Sequence, residues 1–311
     1  MNEEEFSVSV IVPVYNGEAD LPELLSCLQG QRFPAGRVEY LLVDNKSSDR
    51  TPDILEAAQA ETPAIKPLRE KEIQSSYAAR NRGIKAATGD ILAFTDADCR
   101  PQPDWLANLI APFRDPSIGI VAGEIAALPG KTLLEKYADR QKTLSQKHTL
   151  THPFCAYGQT ANLGIRRSAL ERVGIFRPYL TTGGDADICW RILRETDWQL
   201  KFAPTAIVRH RHRQSMKELE SQWRRYGRSN LYLHELHGVK LMPEMTGRDY
   251  LYRLSRWLLK ELPITMVKTT LGKATVVDLV STPIGLFTAK ARYRGQQEAK
   301  LPEAARKIEW L

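Results

Sequence analysis

Gly89-Asp90-Ile91-Leu92-Ala93-Phe94-Thr95-Asp96-Ala97-Asp98-Cys99 is the stretch on which the fold of this 311-residue chain turns. Gly89-Asp90 is a turn signal, and Ile91 to Thr95 is an uncharged run of the kind that fills a strand buried on both faces. Two carboxylates two positions apart follow it, so the strand carries Asp96 and Asp98 to one edge of its sheet. A hard divalent cation bound to a diphosphate needs one or two carboxylates, with substrate oxygens and water completing its shell. The alternative for the pair is to cap the next turn.

Working outward, Phe6 to Tyr15 is apolar and β-branched and ends at Asn16-Gly17, which reads as a buried strand entering a turn. Leu21, Leu24, Leu25 and Leu28 recur at helical spacing. Val38 to Val43 is a second strand, followed by the polar loop Asp44 to Asp49. Thr51-Pro52 then opens a helix, with Thr as cap and Pro in the first turn. Ala78 to Ala87 reads as helical. Strand, helix, strand, helix, strand in this order predicts a parallel sheet with helices on its faces. Ligands of such sheets bind beyond the carboxyl ends of the strands, where the Asp44 and Asp96 clusters lie. Downstream, Ile118 to Ala127 and Ala161 to Ile165 read as strands. Thr132 to Gln146, Asp187 to Glu195 and Gln214 to Leu236 read as helices.

Hydrophobic residues at 42% and charged residues at 26% suit a folded globular chain rather than a disordered one. The net charge is +7, and the segment from Arg248 to Leu311 holds twelve Lys/Arg against six Asp/Glu, so the surplus sits in a basic tail. A basic tail favours anionic partners. There Leu251, Leu254, Leu258 and Leu262 line one helical face, while Arg253, Arg256 and Lys260 lie off it. Cys27, Cys99, Cys155 and Cys189 form no CxxC pair, which points to a reducing compartment. Met1 to Glu5 lacks the basic and apolar regions of a leader. The longest apolar candidate, Leu262 to Phe287, is interrupted by Lys268, Lys273 and Asp278, short of the ~18 residues a membrane span requires. The expected location is cytoplasmic, and the tail has two readings: it lies on the inner face of an anionic membrane, or it packs on the catalytic domain or a second subunit with its charges solvated.

Six blocks in order give the chain a resemblance to family 2 glycosyltransferases of the GT-A fold. They are Val10-Ile11-Val12-Pro13-Val14-Tyr15-Asn16, Leu42 to Asp49, Ala79-Arg80-Asn81-Arg82-Gly83, Asp96-Ala97-Asp98, Asn162 to Arg167, and Gly183-Gly184-Asp185-Ala186-Asp187. The resemblance, which covers about residues 7 to 230, implies an α/β GT-A domain over 1–236, two abutting Rossmann-like halves around a mostly parallel sheet; the remainder, 237–311, reads from its own spacing and charge as a basic helical tail. The resemblance further implies that Pro13 and Tyr15 border a nucleotide base, that Asp44 bonds it, and that Asn81 and Arg80 lie near the nucleotide. Arg80 on a helix surface is the competing reading. Asp96 would face the ribose and Asp98 would hold Mg²⁺ or Mn²⁺. Asp185 would be the general base of an inverting displacement, and Asp187 a helix cap. The family usually shows Glu-Asp where this chain has Gly184-Asp185, which removes a carboxylate from the acceptor side. Asn162 and Gly184 are acceptor-side candidates.

In Val208-Arg209-His210-Arg211-His212, the resemblance implies a histidine that completes the metal or diphosphate site. His210 is preferred, His212 stands on the same side if the strand continues, and a lone exposed histidine is the plainer reading of either. Gln222-Trp223-Arg224-Arg225-Tyr226 has the spacing of a Gln-x-x-Arg-Trp motif, so Arg225 would meet the diphosphate and Trp223 the acceptor. An aromatic core stripe is the plainer reading of Trp223. The implied partners are a UDP- or GDP-sugar, a saccharide or lipid-linked acceptor, and an anionic membrane surface, without nucleic acid. A nucleotidyltransferase would need a glycine-rich basic loop where Tyr15-Asn16-Gly17-Glu18 stands, and a dinucleotide dehydrogenase would need G-x-G-x-x-G there. A non-catalytic binding protein would not need Asp98 and Asp185 together.

Overall fold

The computed structural model describes residues 6–311, so the reading of Met1–Glu5 lies outside the described residues. The chain begins β1 (Val8–Val14), α1 (Leu21–Gln29), β2 (Val38–Asp44), α2 (Thr51–Glu61), β3 (Ile65–Arg69) and α3 (Ser76–Ala86). It continues through β4 (Ile91–Thr95), β5 (Cys99–Pro101), α4 (Trp105–Ile110), β6 (Ile118–Ala127), α5 (Leu133–Arg140), α6 (Gln146–Leu150) and β7 (Asn162–Arg166). Then come α7 (Arg167–Val173), α8 (Gly184–Glu195), β8 (Gln199–His210), α9 (Met216–His237), α10 (Gly247–Arg256), α11 (Leu262–Thr270) and α12 (Val276–Gln297).

The eight strands form one sheet in the order β3-β2-β1-β4-β7-β6-β8-β5. It is parallel from β3 to β4 and antiparallel where β7 meets β4 and β6 and where β5 meets β8. The parallel half follows from its helical crossovers. Val8, Val10, Val12 and Val14 point into one apolar cluster with Leu21, Leu24 and Leu28. Ile11 faces the other way, where a Cβ on Gly83 would stand 2.6 Å from its Cγ2, so α3 lies directly on the sheet. Both faces are therefore covered, which is why the strands read as continuous apolar runs.

Two elements escape the sequence pattern. The edge strand β3 carries Lys66, Pro67 and Arg69, and β5 has three residues. The helix expected over Thr132 to Gln146 stops at Arg140 and resumes at Gln146, because Lys142 takes φ 50°, in the left-handed region an α-helix excludes. The helix at Asp187 begins three residues earlier, at Gly184.

The chain folds into two compact units. One gathers residues 6–126, Leu144–His210 and Pro302–Leu311, and the other Ala127–Thr143 and Arg211–Leu301. The boundary expected at residue 236 thus falls inside the second unit, because α9 packs on α12 too closely to be parted from it. A Cβ on Gly227 would lie 1.8 Å from the Arg292 carbonyl oxygen, and one on Gly295 2.0 Å from that of Arg224. The last residues return to the first unit, where the Glu309 carbonyl accepts from Ile175 N at 2.7 Å and its carboxylate meets Asn81 and Lys85. All four cysteines are free. Among the described residues no helix is long and apolar enough to cross a membrane.

Candidate functional site

Strand β4 ends at Thr95, and the turn that follows holds Asp96 and Asp98. Arg100, buried, fixes that turn. Its Nη1 donates to the carbonyls of Ala97 and Cys99 at 3.1 and 2.9 Å, while Nη2 and Nε reach Asp20 and Glu23 of the α1 region at 2.7 and 2.6 Å. Antiparallel pairing sets Cys99 of β5 opposite His210 of β8. The result is that His210 Nε2 stands 3.2 Å from Asp98 Oδ2, although 112 positions part the two in the sequence.

Ligand atoms of Asp98, Cys99 and His210 all lie within 4.8 Å of one another. Burial pushes the Cys99 thiol well above its usual range, with Asp98 and Asp96 adding to the effect, so it stays protonated and is a poor ligand for a hard ion. A carboxylate oxygen and an imidazole nitrogen remain, a donor set that fits Mn²⁺ and, through the carboxylate, Mg²⁺. Strand β8 ends at His210, so strand alternation does not extend to His212.

Arg80 is buried, not a surface residue of α3. Its Nη2 holds Asp96 Oδ1 at 2.6 Å and its guanidinium lies 5.5 Å from the centre of the Tyr77 ring. Burial raises the Asp96 carboxyl above its ordinary value, Arg80 opposes this, and the like charges of Asp98 and Asp185 reinforce it. Burial would lower the Arg80 guanidinium, but the charges of Asp96 and then Asp185 outweigh it and raise the group. The three acids and one base are thus one electrostatic group. Arg80 Nε is buried without a hydrogen-bond partner among the described residues.

Asp185 sits in the first turn of α8, after Gly183 at φ 82°. Thr160 holds both of its oxygens, Oγ1 to Oδ1 at 3.0 Å and the backbone N to Oδ2 at 3.3 Å. Thr160 comes to this edge because β7 runs antiparallel to β4, which sets Asn162 opposite Thr95. Gly184 has a structural reason. Its N donates to Tyr77 Oη at 2.9 Å, and a Cβ there would stand 2.7 Å from the Tyr77 ring, so the glutamate usual in the family has no room. Asp187 does more than cap. Fully buried, it meets Arg177 Nε at 3.0 Å, which ties α8 to the segment before it, and Arg191 Nη2 at 3.1 Å one turn on in α8 itself.

At the ends of β1 and β2, Pro13 is half-buried, Tyr15 is exposed, and Asp44 pairs with Val14. Asp44 Oδ1 accepts from Ser47 N at 3.1 Å, closing the loop while the residue keeps its place at the strand end. Two expectations are corrected. Asn81 does not face a nucleotide: its amide bridges Phe176 N and O and reaches Glu309, and it is buried. Asn162 does not face an acceptor. Fully buried, it accepts from Trp105 Nε1 at 2.7 Å and donates to the carbonyls of Glu124 and Ala206 at 2.8 Å.

In the second unit, Trp223 packs against the apolar cluster of Leu134, Tyr137, Leu219, Val277 and Ile284, while its indole N–H finds no partner among the described residues. Arg225 is exposed on α9. Sequence reading missed Thr160 and Tyr77. Thr160 precedes the Asn162 block by two residues, and Tyr77 precedes Arg80 by three, which on a helix puts both on one face.

Comparison with known proteins accords with this arrangement. A family model described as glycosyl transferase family 2 matches residues 9–174. The glycosyltransferase AglE of Haloferax volcanii is 34% identical over 238 residues, 75% of this chain and 76% of that protein. The pre-mycofactocin glycosyltransferase of Mycobacterium tuberculosis is 31% identical over 94% of this chain, which spans 58% of that longer protein. In fold, the chain is similar to a mannosyltransferase of Pyrobaculum calidifontis solved with GDP-Man and Mn²⁺, with TM-score 0.63, 19% identity, and coverage of 95% and 89%. Family match, relatives and fold agree: this chain belongs to glycosyl transferase family 2 and is a glycosyltransferase.

Proposed function

We propose that the chain moves a hexosyl-type sugar from a UDP- or GDP-linked donor to a hydroxyl of a saccharide or lipid-linked acceptor, inverting the anomeric centre. The observation that carries this reading is the pairing of Asp98 with His210 at 3.2 Å beside Asp96, at the same sheet edge where Thr160 orients Asp185. Related proteins supply support from their own ligands. The Pyrobaculum calidifontis enzyme was solved with GDP-Man and Mn²⁺, a Staphylococcus aureus TarS structure with UDP-GlcNAc, and one relative is an undecaprenyl-phosphate sugar transferase.

Asp98 and His210 are the residues that would hold Mg²⁺ or Mn²⁺, and a bound ion would neutralise charge on the departing diphosphate. Pro13, Tyr15 and Asp44 border the base, with Asp96 towards the ribose. The Thr160 N–H and O–H each occupy one lone pair of an Asp185 oxygen and leave others open. Asp185 accepts the acceptor hydroxyl proton as that oxygen bonds to the anomeric carbon and the bond to the diphosphate oxygen breaks, its electrons leaving with the diphosphate. A single displacement from the opposite face inverts the centre.

The test is thermal stability against nucleoside diphosphates and their sugars, with and without Mn²⁺, in the native chain and in Asp98→Asn. A ligand that binds only the folded state at about a hundred times its Kd adds about 2.7 kcal/mol of stability. The expected result is a Tm rise for one nucleotide family that depends on Mn²⁺ and vanishes in Asp98→Asn. A flat response across the panel overturns the donor site, and an unchanged metal-dependent rise in Asp98→Asn overturns the ligand assignment.

A further inference from the structure

Ten of the eighteen large hydrophobic side chains exposed among the described residues fall between Leu251 and Val276, in and just after α10 and α11. The two helices are joined by a π turn, Trp257–Glu261. One face of this rod is occupied. Trp257 Nε1 donates to Leu279 O at 2.9 Å, and Glu261 Oε2 accepts from Thr282 Oγ1 at 2.7 Å, so both reach α12. On the opposite side stand Leu259, Ile264, Val267 and Leu271, which are 77%, 47%, 60% and 64% exposed. Their spacings are five, three and four. The five crosses the π turn, whose i→i+5 geometry accommodates one extra residue and keeps the apolar stripe in line. Leu262, expected on the apolar face, turns half-buried for the same reason. An unbroken α-helix would have split the stripe.

Charge flanks the stripe. Arg253, Arg256, Lys260 and Lys268 recur at three, four and eight, with Lys260 inside the π turn, and all four are exposed. From Tyr250 to Thr275 there are five Lys/Arg and one Asp/Glu. That acid, Glu261, is bound to Arg256 at 2.8 Å and to α12. A second copy of this chain would present a surface of the same sign. We propose that this face of the helical unit lies in the interfacial layer of a membrane rich in anionic lipid. The apolar stripe enters the boundary between headgroups and acyl chains, and the basic row pairs with anionic headgroups. The proposal stands apart from the sugar-transfer reading, since its test uses neither donor nor acceptor.

The experiment sediments the full chain with vesicles of phosphatidylcholine alone or mixed with phosphatidylglycerol. Binding is expected to the mixed vesicles and to weaken as salt rises. Neutralising a basic residue is expected to cost roughly fivefold each, so Arg253→Gln with Lys260→Gln loses roughly 25-fold in partitioning. Leu259→Asn with Val267→Asn is expected to lose at least roughly tenfold. These side chains are exposed, so circular dichroism and Tm should match the parent, and that check separates lost binding from lost folding. No sedimentation at low salt overturns the proposal, as does equal binding to neutral vesicles. A concentration-dependent dimer abolished by Leu259→Asn overturns it too, because the face then belongs to a second copy.

Discussion

The two units of this protein spend their apolar side chains differently. In the α/β unit Val10, Val12, Leu41, Leu42, Ile91 and Phe94 are at most 1% exposed, and polar residues are left at the strand ends. In the helical unit a cluster around Leu134, Leu219 and Ile284 is buried, while Leu251, Leu258 and Leu259 stay 55–77% exposed. Monomeric proteins rarely leave apolar side chains together in such a patch without a partner for it. In the first unit hydrophobicity aims the acids of the site, and in the second it is turned outward.

The contrast can be broken most sharply at the chemistry. Asp185→Asn is expected to lower kcat by roughly 10²- to 10⁴-fold while the donor-induced Tm shift persists. Loss of the shift along with activity would instead make Asp185 a structural member of the α/β unit. Next in size, Leu42→Ala is expected to cost about 3 kcal/mol in denaturant unfolding, as a fully buried leucine does.

Acid supplies a third comparison. Burial alone would raise the Glu39 carboxyl, but hydrogen bonds from Lys66, Ser9 and Thr88 outweigh it and hold the group at about 2, against 4.5 when free. A depressed folded value means that this stabilisation is present above pH 4.5 and is lost as pH falls towards 2. Its size is on the order of 3 kcal/mol. Glu39→Gln should flatten that acid limb, measured as stability between these pH values, and an unchanged limb would remove Glu39 as its source. The smallest expected effect is that of Leu259→Ala, within about 0.5 kcal/mol of the parent. A cost like that of Leu42→Ala would mean that the outward face is packed after all.

The strands around Asp44 and Asp96 were legible because a parallel sheet covered on both faces demands uninterrupted apolar runs, and their polar ends stand out. The meeting of Asp98 and His210 is expected from the resemblance alone and not from periodicity, since it depends on β5, a Cys-Arg-Pro strand too short to carry a period. Asn81 and Asn162 are placed by the family resemblance alone, and a motif block does not show that an amide inside it is spent on buried backbone, as each of these is. Gly184 reads as a missing carboxylate until Tyr77 is seen filling the space. The π turn is illegible to any fixed helical period, because it consists of a departure from one.

The return of Pro302–Leu311 to the first unit changes the topology of the chain. What reads as a trailing tail is followed by ten residues that belong to the first unit again. Cutting after His237 would strip Glu309 from Asn81, Lys85 and Ile175 and leave α3, the helix that carries Arg80, without its clasp. The helical unit also draws on Ala127–Thr143, so the chain passes between the units four times, after Ala126, Thr143, His210 and Leu301, and no single cut releases it. Loop closure grows only slowly more costly with length, so the long excursion is cheap to hold.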